Sequence, residues 1–502
     1  MAKSLTIKPK FTVLSSKQKR IIHENSLKIL SKVGIAVKSD AARDYYLKSP
    51  YVTYENGRIK IAPELAEESI RSAPKYIDIY DRLGKRAFRL GKEKKFERNN
   101  KAIFGTGVGN LKYHHPDKDT IEQITREDIA EGTRLTHSLG SYDSVSTLGY
   151  ILDGDKRTNE MYGMLEMIAN TTKPLVLLNM DSRQFEPILD LTQNLRGANL
   201  GENSLEKYPY VIPYFDMVSP LSMDENTGNR IIITIERGLP FIFSNYALAG
   251  GTTSLEIGDA IIDLNAELLG GLVLSQLIKK GTPLIMGSML SFLDMKKGVE
   301  FYGENSFLAN AACAEMMAFY EIPHAGTSGA GIGYGMGIKQ AENYVLNMYT
   351  ETTGKTGWAP FVGGSLGSST FSSESLVYVD ELIEQARRFA AGVPLDLGDR
   401  YLEELNDAII RKNFMGAKST HRLMRSDGYY TSKIFPRLNF DNWNNEGRPT
   451  EEEFLHWRTL EKIKTSKAPP DHDYIIEAGE KAIQEYVMKL EKRGLYITNG
   501  CK

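Results

Sequence analysis

The chain has 502 residues, of which 25% are charged, with a formal net charge of −2 at pH 7 and two cysteines, Cys313 and Cys501. That balance leaves no basic footprint for nucleic acid or an anionic membrane, and two cysteines allow neither a disulfide framework nor a cysteine zinc site. No apolar run reaches the roughly 18 residues of a membrane span and the opening MAKSLTIKPKF lacks the apolar core of a signal peptide, so a cytoplasmic protein is expected.

The first hundred residues read as helical, then mixed. Ser15-x-x-Gln18 has the form of a capping box. It precedes Ile22, Ile29, Leu30 and Val33, which share one helical face, and Gly34 is a suitable stop. A second helix is expected from near Pro63 to near Pro74, and Lys92 to Lys101 reads as a charged loop.

From residue 102 the pattern changes. Eight short apolar runs recur at intervals of about 25 to 45 residues, the rhythm of βα units. They are AIFGTGV (from Ala102), SVSTLGY (from Ser144), PLVLLNM (from Pro174), YVIPYFDMV (from Tyr210), PFIFSNYAL (from Pro240), PLIMGSM (from Pro283), IPHAGTS (from Ile322) and APFVGGS (from Ala359). Helical stretches such as Thr158 to Ala169 and Asp263 to Lys280 separate most of them. The alternation predicts an α/β fold of the (β/α)8 TIM barrel type, with an open doubly wound sheet as the alternative. Residues 1–101 are expected to form an N-terminal extension packing on the barrel, 102–374 the catalytic core, and 375–502 a helical region completing the same domain.

The seventh run leads into G-T-S-G-A-G-I-G-Y-G-M-G, from Gly326 to Gly337, with a glycine at every second position from Gly329. Such a cluster is entropically costly unless the backbone must approach something. In an extended segment, alternating glycines leave one face bare. Their odd register contains no GxGxxG, so a dinucleotide fingerprint is absent. Gly354-Lys355-Thr356 ends like a phosphate loop, but its first glycine would fall at Tyr349 and a strand follows it. The eight histidines are scattered, with no HxH or HxxxH, and no metal site is expected. Cys313 sits in an apolar stretch and reads as a buried structural thiol.

A barrel keeps its active site at the C-terminal strand ends. Those ends offer Asp216, Asn245, Tyr246, Ser288, Met289, Thr327, Ser328 and Ser365, with Tyr214, Phe215, Phe243 and Phe361 just behind. Bases and nucleophiles are few; aromatics, hydroxyls and glycines are many. That composition suits a cation held by aromatic faces, although about half of these rings are expected to fill the barrel core. Asn265 and Glu267 interrupt an otherwise apolar helix on different faces. Glu267 needs either a partner or a site to serve.

Several segments together resemble the trimethylamine methyltransferase (MttB-like) superfamily over nearly the whole chain. They are IIHENSLKILSKVGI (from Ile21), APELAEESIRSAP (from Ala62), NTTKPL (from Asn170), VSPLSMD (from Val218), LNAELLGGLVLSQL (from Leu264), GSMLSFLDMKKG (from Gly287), KNFMGAKSTHRLMR (from Lys412) and FPRLNFDNW (from Phe435). The resemblance implies a barrel that moves a methyl group from an amine to the cobalt of a separate corrinoid protein. The cobamide travels on that partner, and no cofactor is expected to bind this chain tightly. Founding members carry pyrrolysine, an electrophile thought to orient trimethylamine. Counting back from Gln340, that position falls at or near Gly331, and Ala330 or Ile332 would give the same conclusion. The resemblance is therefore to the non-pyrrolysine branch, closest to the glycine betaine:corrinoid methyltransferases. A quaternary ammonium already carries the charge that makes its amine a leaving group; it needs only binding, desolvation and alignment.

On this reading Tyr214, Phe215, Tyr246 and Phe361 hold the trimethylammonium head. Asn245, His324, Thr327 and Ser328 serve the substrate, with His324 as a positive partner for its carboxylate. Asp216 and Glu267 support the cation, while Gly329, Gly331, Gly333 and Gly335 clear the corrin approach. Another betaine, a tertiary amine, or a non-enzymatic quaternary amine binder stay open, as does a homo-oligomer.

Overall fold

The eight apolar runs become the staves of a closed parallel barrel. The computed structural model describes residues 5–91, 102–196, 200–201, 203–326, 333, 335–367, 369–395, 399–426 and 428–492. Strand one (Ile103–Thr106) pairs with strand two (Ser144–Ser146). The order continues through strand three (Leu175–Leu177), strand four (Val211–Val218), strand five (Phe241–Ala249) and strand six (Leu284–Asp294). The seventh stave is short: parallel bridges join His324 to Met286 and Ala325 to Trp358. Strand eight (Trp358–Ala359) then pairs with strand one and closes the ring. Strands six and seven approach so closely that a Cβ on Gly287 would lie 1.4 Å from the Ala325 carbonyl oxygen, so only glycine fits there. Eight helices follow the eight strands, from Arg126–Ser138 to Ser373–Ala391. Closure decides against the open sheet.

The N-terminal helix spans Ser16–Lys32, and Ser15 and Gln18 complete the predicted capping box. The second predicted helix is Pro63–Ser72, with proline in its first turn. Both lie against the fifth barrel helix, Ile257–Ile278. Covered on both sides, that helix is apolar all round. By length and composition it could cross a membrane, but 72% of its apolar window is buried inside the protein. The charged stretch Lys92 to Lys101 lies outside the described residues.

A hairpin, Tyr76–Tyr80 with Arg86–Gly91, plugs the N-terminal end of the barrel. Its Ile77, Ile79, Phe88 and Leu90 pack against Ile212, Ile242, Ile285 and Trp358 from the strand starts. Burying each such side chain contributes roughly 1.5–3 kcal/mol. The Phe88 and Trp358 rings meet edge to face at 5.2 Å, and the Trp358 indole N–H donates to Ser144 Oγ at 3.0 Å. Buried Arg82, beside the hairpin turn, holds both oxygens of Asp471 at 2.7 Å, tying the floor to the C-terminal helices. Of those, Glu451–Thr465 and His472–Lys492 pack on the barrel helices.

Candidate active site

The floor is sealed, so the opposite end, where the strands finish, is the accessible one. Strand alternation decides which side chains reach it. On strand four, Ile212 and Tyr214 face the barrel interior, and Asp216 continues that face one layer nearer the mouth. In register beside them stand Ser244 on strand five and, further up, Tyr246 opposite Met289 on strand six.

Tyr214 organises this layer. Its ring meets Phe361 edge to face at 5.1 Å. Burial and the Asp216 carboxylate hold its phenol well above the usual value. Burial pushes Asp216 up to about 6, with Tyr214 and Arg230 pulling the other way. The Tyr214 hydroxyl lies within reach of Asp216 and Ser244, yet neither it nor Asp216 Oδ1, both buried, makes a hydrogen bond of good geometry among the described residues. Leaving a buried donor or acceptor unmade costs about 1–3 kcal/mol. Two such atoms side by side at a barrel mouth mark a place prepared for something else.

Tyr246 hydrogen-bonds Ser291 Oγ at 3.0 Å. Its phenol also meets Glu300 and Tyr302, and burial raises it above its ordinary value. Tyr302 lies close enough to bear on Tyr214 as well. It follows the short strand Val299–Phe301, which folds back antiparallel on the end of strand six. The mouth therefore gathers Tyr214, Tyr246, Tyr302 and Phe361, with Asp216 beside Tyr214 and Glu300 beside Tyr246. Sequence reading missed Tyr302 and Glu300, because DMKKGVEFYG shows no apolar run to mark it as part of a barrel.

Arg230 was also missed. It sits on the fourth barrel helix, Glu225–Glu236, with its guanidinium 5.5 Å from the Phe215 ring centre. Its Nη1 donates to the Asn179 carbonyl and, at 3.2 Å, to Asn179 Oδ1. Burial lowers its pKa, and Asp224, Glu160, Tyr150 and Asp216 oppose that only at longer range. Among the described residues no carboxylate stands within ion-pair distance of it. The alternating pattern of the helix ENTGNRIIITIE places an arginine there without indicating that it points back toward the strand ends.

Other expected residues are placed elsewhere. Phe215 is one residue out of phase and packs outward, 5.8 Å from Phe185 and 5.7 Å from Phe241. Phe243 is also outward, against Gly271 of the fifth helix. Asn245 points away from the lumen too, donating to the Leu264 carbonyl and Glu267 Oε2, each at 2.9 Å. Glu267 itself accepts from Ser219 Oγ at 2.8 Å and the Leu221 amide at 2.7 Å. It pins the loop after strand four to strand five from outside the barrel wall, which makes it a positioning residue. Asn265, on another face of the same helix, donates to Ser26 and Tyr320, each at 2.9 Å.

His324 lies on the seventh stave, and alternation turns it opposite to the inward Ala325. Burial pushes its imidazolium down to about 3. Its Nδ1 accepts from the Gly357 amide at 3.3 Å. It is neutral at pH 7 and cannot be the positive partner expected for a carboxylate. Cys313 is buried and unpaired, its thiol raised to about 11 by burial, as a structural cysteine should be. Thr327, Ser328, Gly329 and Gly331 lie outside the described residues. Gly333 has φ +86, and a Cβ built on it or on Gly335 meets nothing within 4 Å. That part of the glycine run faces open space. Among the described residues no group of three or more His, Cys, Asp or Glu is placed to hold a metal ion.

The rim adds one more feature. Leu152, Met180, Val218, Leu255, Met295 and Ile338 are all exposed, Ile338 by 90%. Leu152, Met180, Leu255 and Met295 come from the loops after strands two, three, five and six, Val218 is the last residue of strand four, and Ile338 opens the helix that follows strand seven.

The trimethylamine methyltransferase (MTTB) family profile matches residues 2–494. A trimethylamine methyltransferase of Methanosarcina mazei is 23% identical, aligning 94% of this chain with 96% of its own. A glycine betaine methyltransferase of Desulfitobacterium hafniense is also 23% identical, with the same two shares. Among solved structures, the monomethylamine methyltransferase of Methanosarcina barkeri superposes with a TM-score of 0.53 at 10% identity, covering 95% of this chain and 88% of that one.

Proposed function

The chain belongs to the trimethylamine methyltransferase (MTTB) family, and from that premise we propose that it transfers a methyl group from glycine betaine to the Co(I) of a separate corrinoid protein. The observation that carries this reading is the aromatic group at the barrel mouth around a buried carboxylate lacking its full set of hydrogen bonds. A trimethylammonium group has no N–H to donate. It is recognised by ring faces and by charge, worth roughly 0.5–2 kcal/mol per ring contact. Tyr214, Tyr246, Tyr302 and Phe361 supply the rings, and Asp216 supplies the opposite charge. The substrate's own carboxylate points away from Asp216, toward the rim, where Arg230 is the available guanidinium.

Transfer needs no general base. The methyl carbon leaves nitrogen, and the electrons of the broken C–N bond stay on the amine as its lone pair, giving neutral dimethylglycine nitrogen. The new carbon–cobalt bond takes both its electrons from the metal, which passes from Co(I) to Co(III). The residues bind, exclude water and align one methyl with the open mouth. Bare backbone at Gly333 and Gly335 suits the approach of a flat macrocycle. The exposed apolar rim suits a protein that docks there.

The test is to mix the protein with glycine betaine and its corrinoid protein reduced to Co(I). Methyl-Co(III) should appear in the visible spectrum, and trimethylamine in place of betaine should be the poorer donor. Absence of methylation from every quaternary amine would overturn the reading.

A further inference from the structure

Two opposite charges stand at the mouth and do not pair. Arg230 and Asp216 bear on each other electrostatically. A long, flexible arginine would ordinarily close on such a carboxylate, because the fork-to-carboxylate pair is among the strong polar contacts a protein makes. Asn179 holds it off. This residue lies just beyond strand three and is buried. Its carbonyl and its Oδ1 both accept from Arg230 Nη1, and its Nδ2 donates to Glu160 Oε2 at 2.6 Å. Glu160, in the first turn of the second barrel helix, Asn159–Asn170, also accepts from the Met180 amide at 3.1 Å and the Asp181 amide at 2.8 Å. Glu160 thus fixes Asn179 and the two residues after it, and Asn179 fixes Arg230. On the other side, Arg230 Nε donates to the Asn226 carbonyl at 3.3 Å. The nearby Asp224 is committed elsewhere, to the Thr227 amide at 2.9 Å and hydroxyl at 2.7 Å.

That leaves one edge of the guanidinium. Among the described residues nothing accepts from Arg230 Nη2, and it is not among the buried atoms left without a partner, so it is open to solvent. We infer that Glu160 and Asn179 form a clamp that keeps Arg230 off Asp216, so that the mouth presents two separated opposite charges and takes a zwitterionic methyl donor whose carboxylate is bound end-on by Nη2. The inference rests on the quaternary amine reading above, and adds to it the device that keeps the second charge available. With Nε and Nη1 occupied, both forks of the guanidinium are closed to a bidentate contact, and one carboxylate oxygen is read. A donor that is only a cation satisfies Asp216 but leaves Arg230 facing it with like charge. Asn179 and Glu160 touch no substrate on this scheme; they are positioning residues.

Calorimetric titration of the full chain with glycine betaine and, separately, with tetramethylammonium tests the clamp. The wild type should bind betaine roughly tenfold tighter, the scale of one charge-assisted hydrogen bond. Arg230→Met should remove that preference by weakening betaine alone. Asn179→Ala frees Arg230 to pair with Asp216 and should weaken both ligands roughly tenfold. The double variant, Asn179→Ala with Arg230→Met, should recover tetramethylammonium binding to the wild-type level while betaine stays weak. Deleting the arginine would not repair a loop merely damaged by the alanine. A double variant as weak for tetramethylammonium as Asn179→Ala therefore overturns the proposal, as does an Asn179→Ala that binds both ligands like the wild type. If Asn179→Ala does not fold, Asn179→Asp decides instead. It keeps the shape and the bonds to Arg230 but cancels the charge, so betaine should weaken about tenfold with tetramethylammonium no weaker; loss of both, or of neither, overturns the clamp. A wild type that binds both ligands equally removes this inference and leaves the aromatic mouth standing, whereas one that binds neither removes the quaternary amine reading and the clamp with it.

Discussion

Asp216 and Glu267 are both carboxylates that burial pushes upward, to about 6 and about 7, yet they stand on opposite sides of the barrel wall. Glu267 faces the helix layer, where Ser219, Leu221 and Asn245 saturate it. Asp216 faces the lumen, and its Oδ1 makes no hydrogen bond of good geometry, reaching only toward the Tyr214 hydroxyl. A raised pKa alone therefore does not mark a functional group. What separates the two is completion: a carboxylate whose hydrogen bonds are all made holds structure together, and one left short is waiting for a partner.

The contrast can be broken by exchange of roles. Asp216→Asn should lower methyl transfer roughly a hundredfold, about 2.7 kcal/mol, while the thermal midpoint holds or rises, since a half-satisfied buried charge has been removed. Glu267→Ala should do the reverse. It should cost about 2 kcal/mol of unfolding free energy in urea, because Ser219, Asn245 and the Leu221 amide lose their acceptor, with transfer per folded molecule changed only a few-fold. Equal effects of both variants on both measurements would erase the distinction.

Smaller effects sharpen it. Tyr246→Leu removes one ring from the mouth and should weaken glycine betaine binding by about 1 kcal/mol, near fivefold in calorimetry. The equivalent change on the outer face, Phe243→Leu, where the ring packs against Gly271, should leave that affinity alone and lower stability instead.

A separate readout of the two carboxyls is the pH dependence of stability. Both carboxyls have folded pKa values above their ordinary 3.8 and 4.5. Between its ordinary value and its raised one, near 6 for Asp216 and 7 for Glu267, each group keeps a proton in the folded state that the unfolded chain has lost, so stability is greatest below about pH 4 for these two groups and falls as pH rises through 6 and 7. Each contributes a slope of at most about 1.4 kcal/mol per pH unit. Asp216→Asn should remove the part that ends near pH 6, and Glu267→Gln the part that ends near pH 7, in thermal midpoints measured across the range. A flat profile in the wild type would contradict both assignments.

The sequence made the barrel legible because each stave is an apolar run bounded by proline or glycine and followed by a helix, and all eight runs became staves. The site was only half legible, for a geometric reason. Strand ends can be read from a sequence, but which of two neighbours points inward depends on register. Tyr214, Asp216, Tyr246 and Phe361 fell on the lumen side, while Phe215 and Asn245 fell one residue out of phase. Glu267 was correctly seen as a carboxylate needing a reason, yet nothing in its own helix says which wall it faces. Tyr302 arrives through a fold-back hairpin and Arg230 through a helix, and neither announces itself by spacing. The floor hairpin, in a stretch read only as mixed, became visible only once Ile77, Ile79, Phe88 and Leu90 were seen inside the barrel.

That floor has a kinetic consequence. A barrel stoppered at one end is a vessel with a single opening, and a docking partner would use the same opening as the small molecule. If the proposed methyl transfer to a protein partner takes place there, the methyl donor must enter first and the demethylated amine must leave last, with the partner arriving and departing in between. Steady-state traffic through this protein should be strictly ordered, with the partner at high concentration trapping the product inside and slowing turnover.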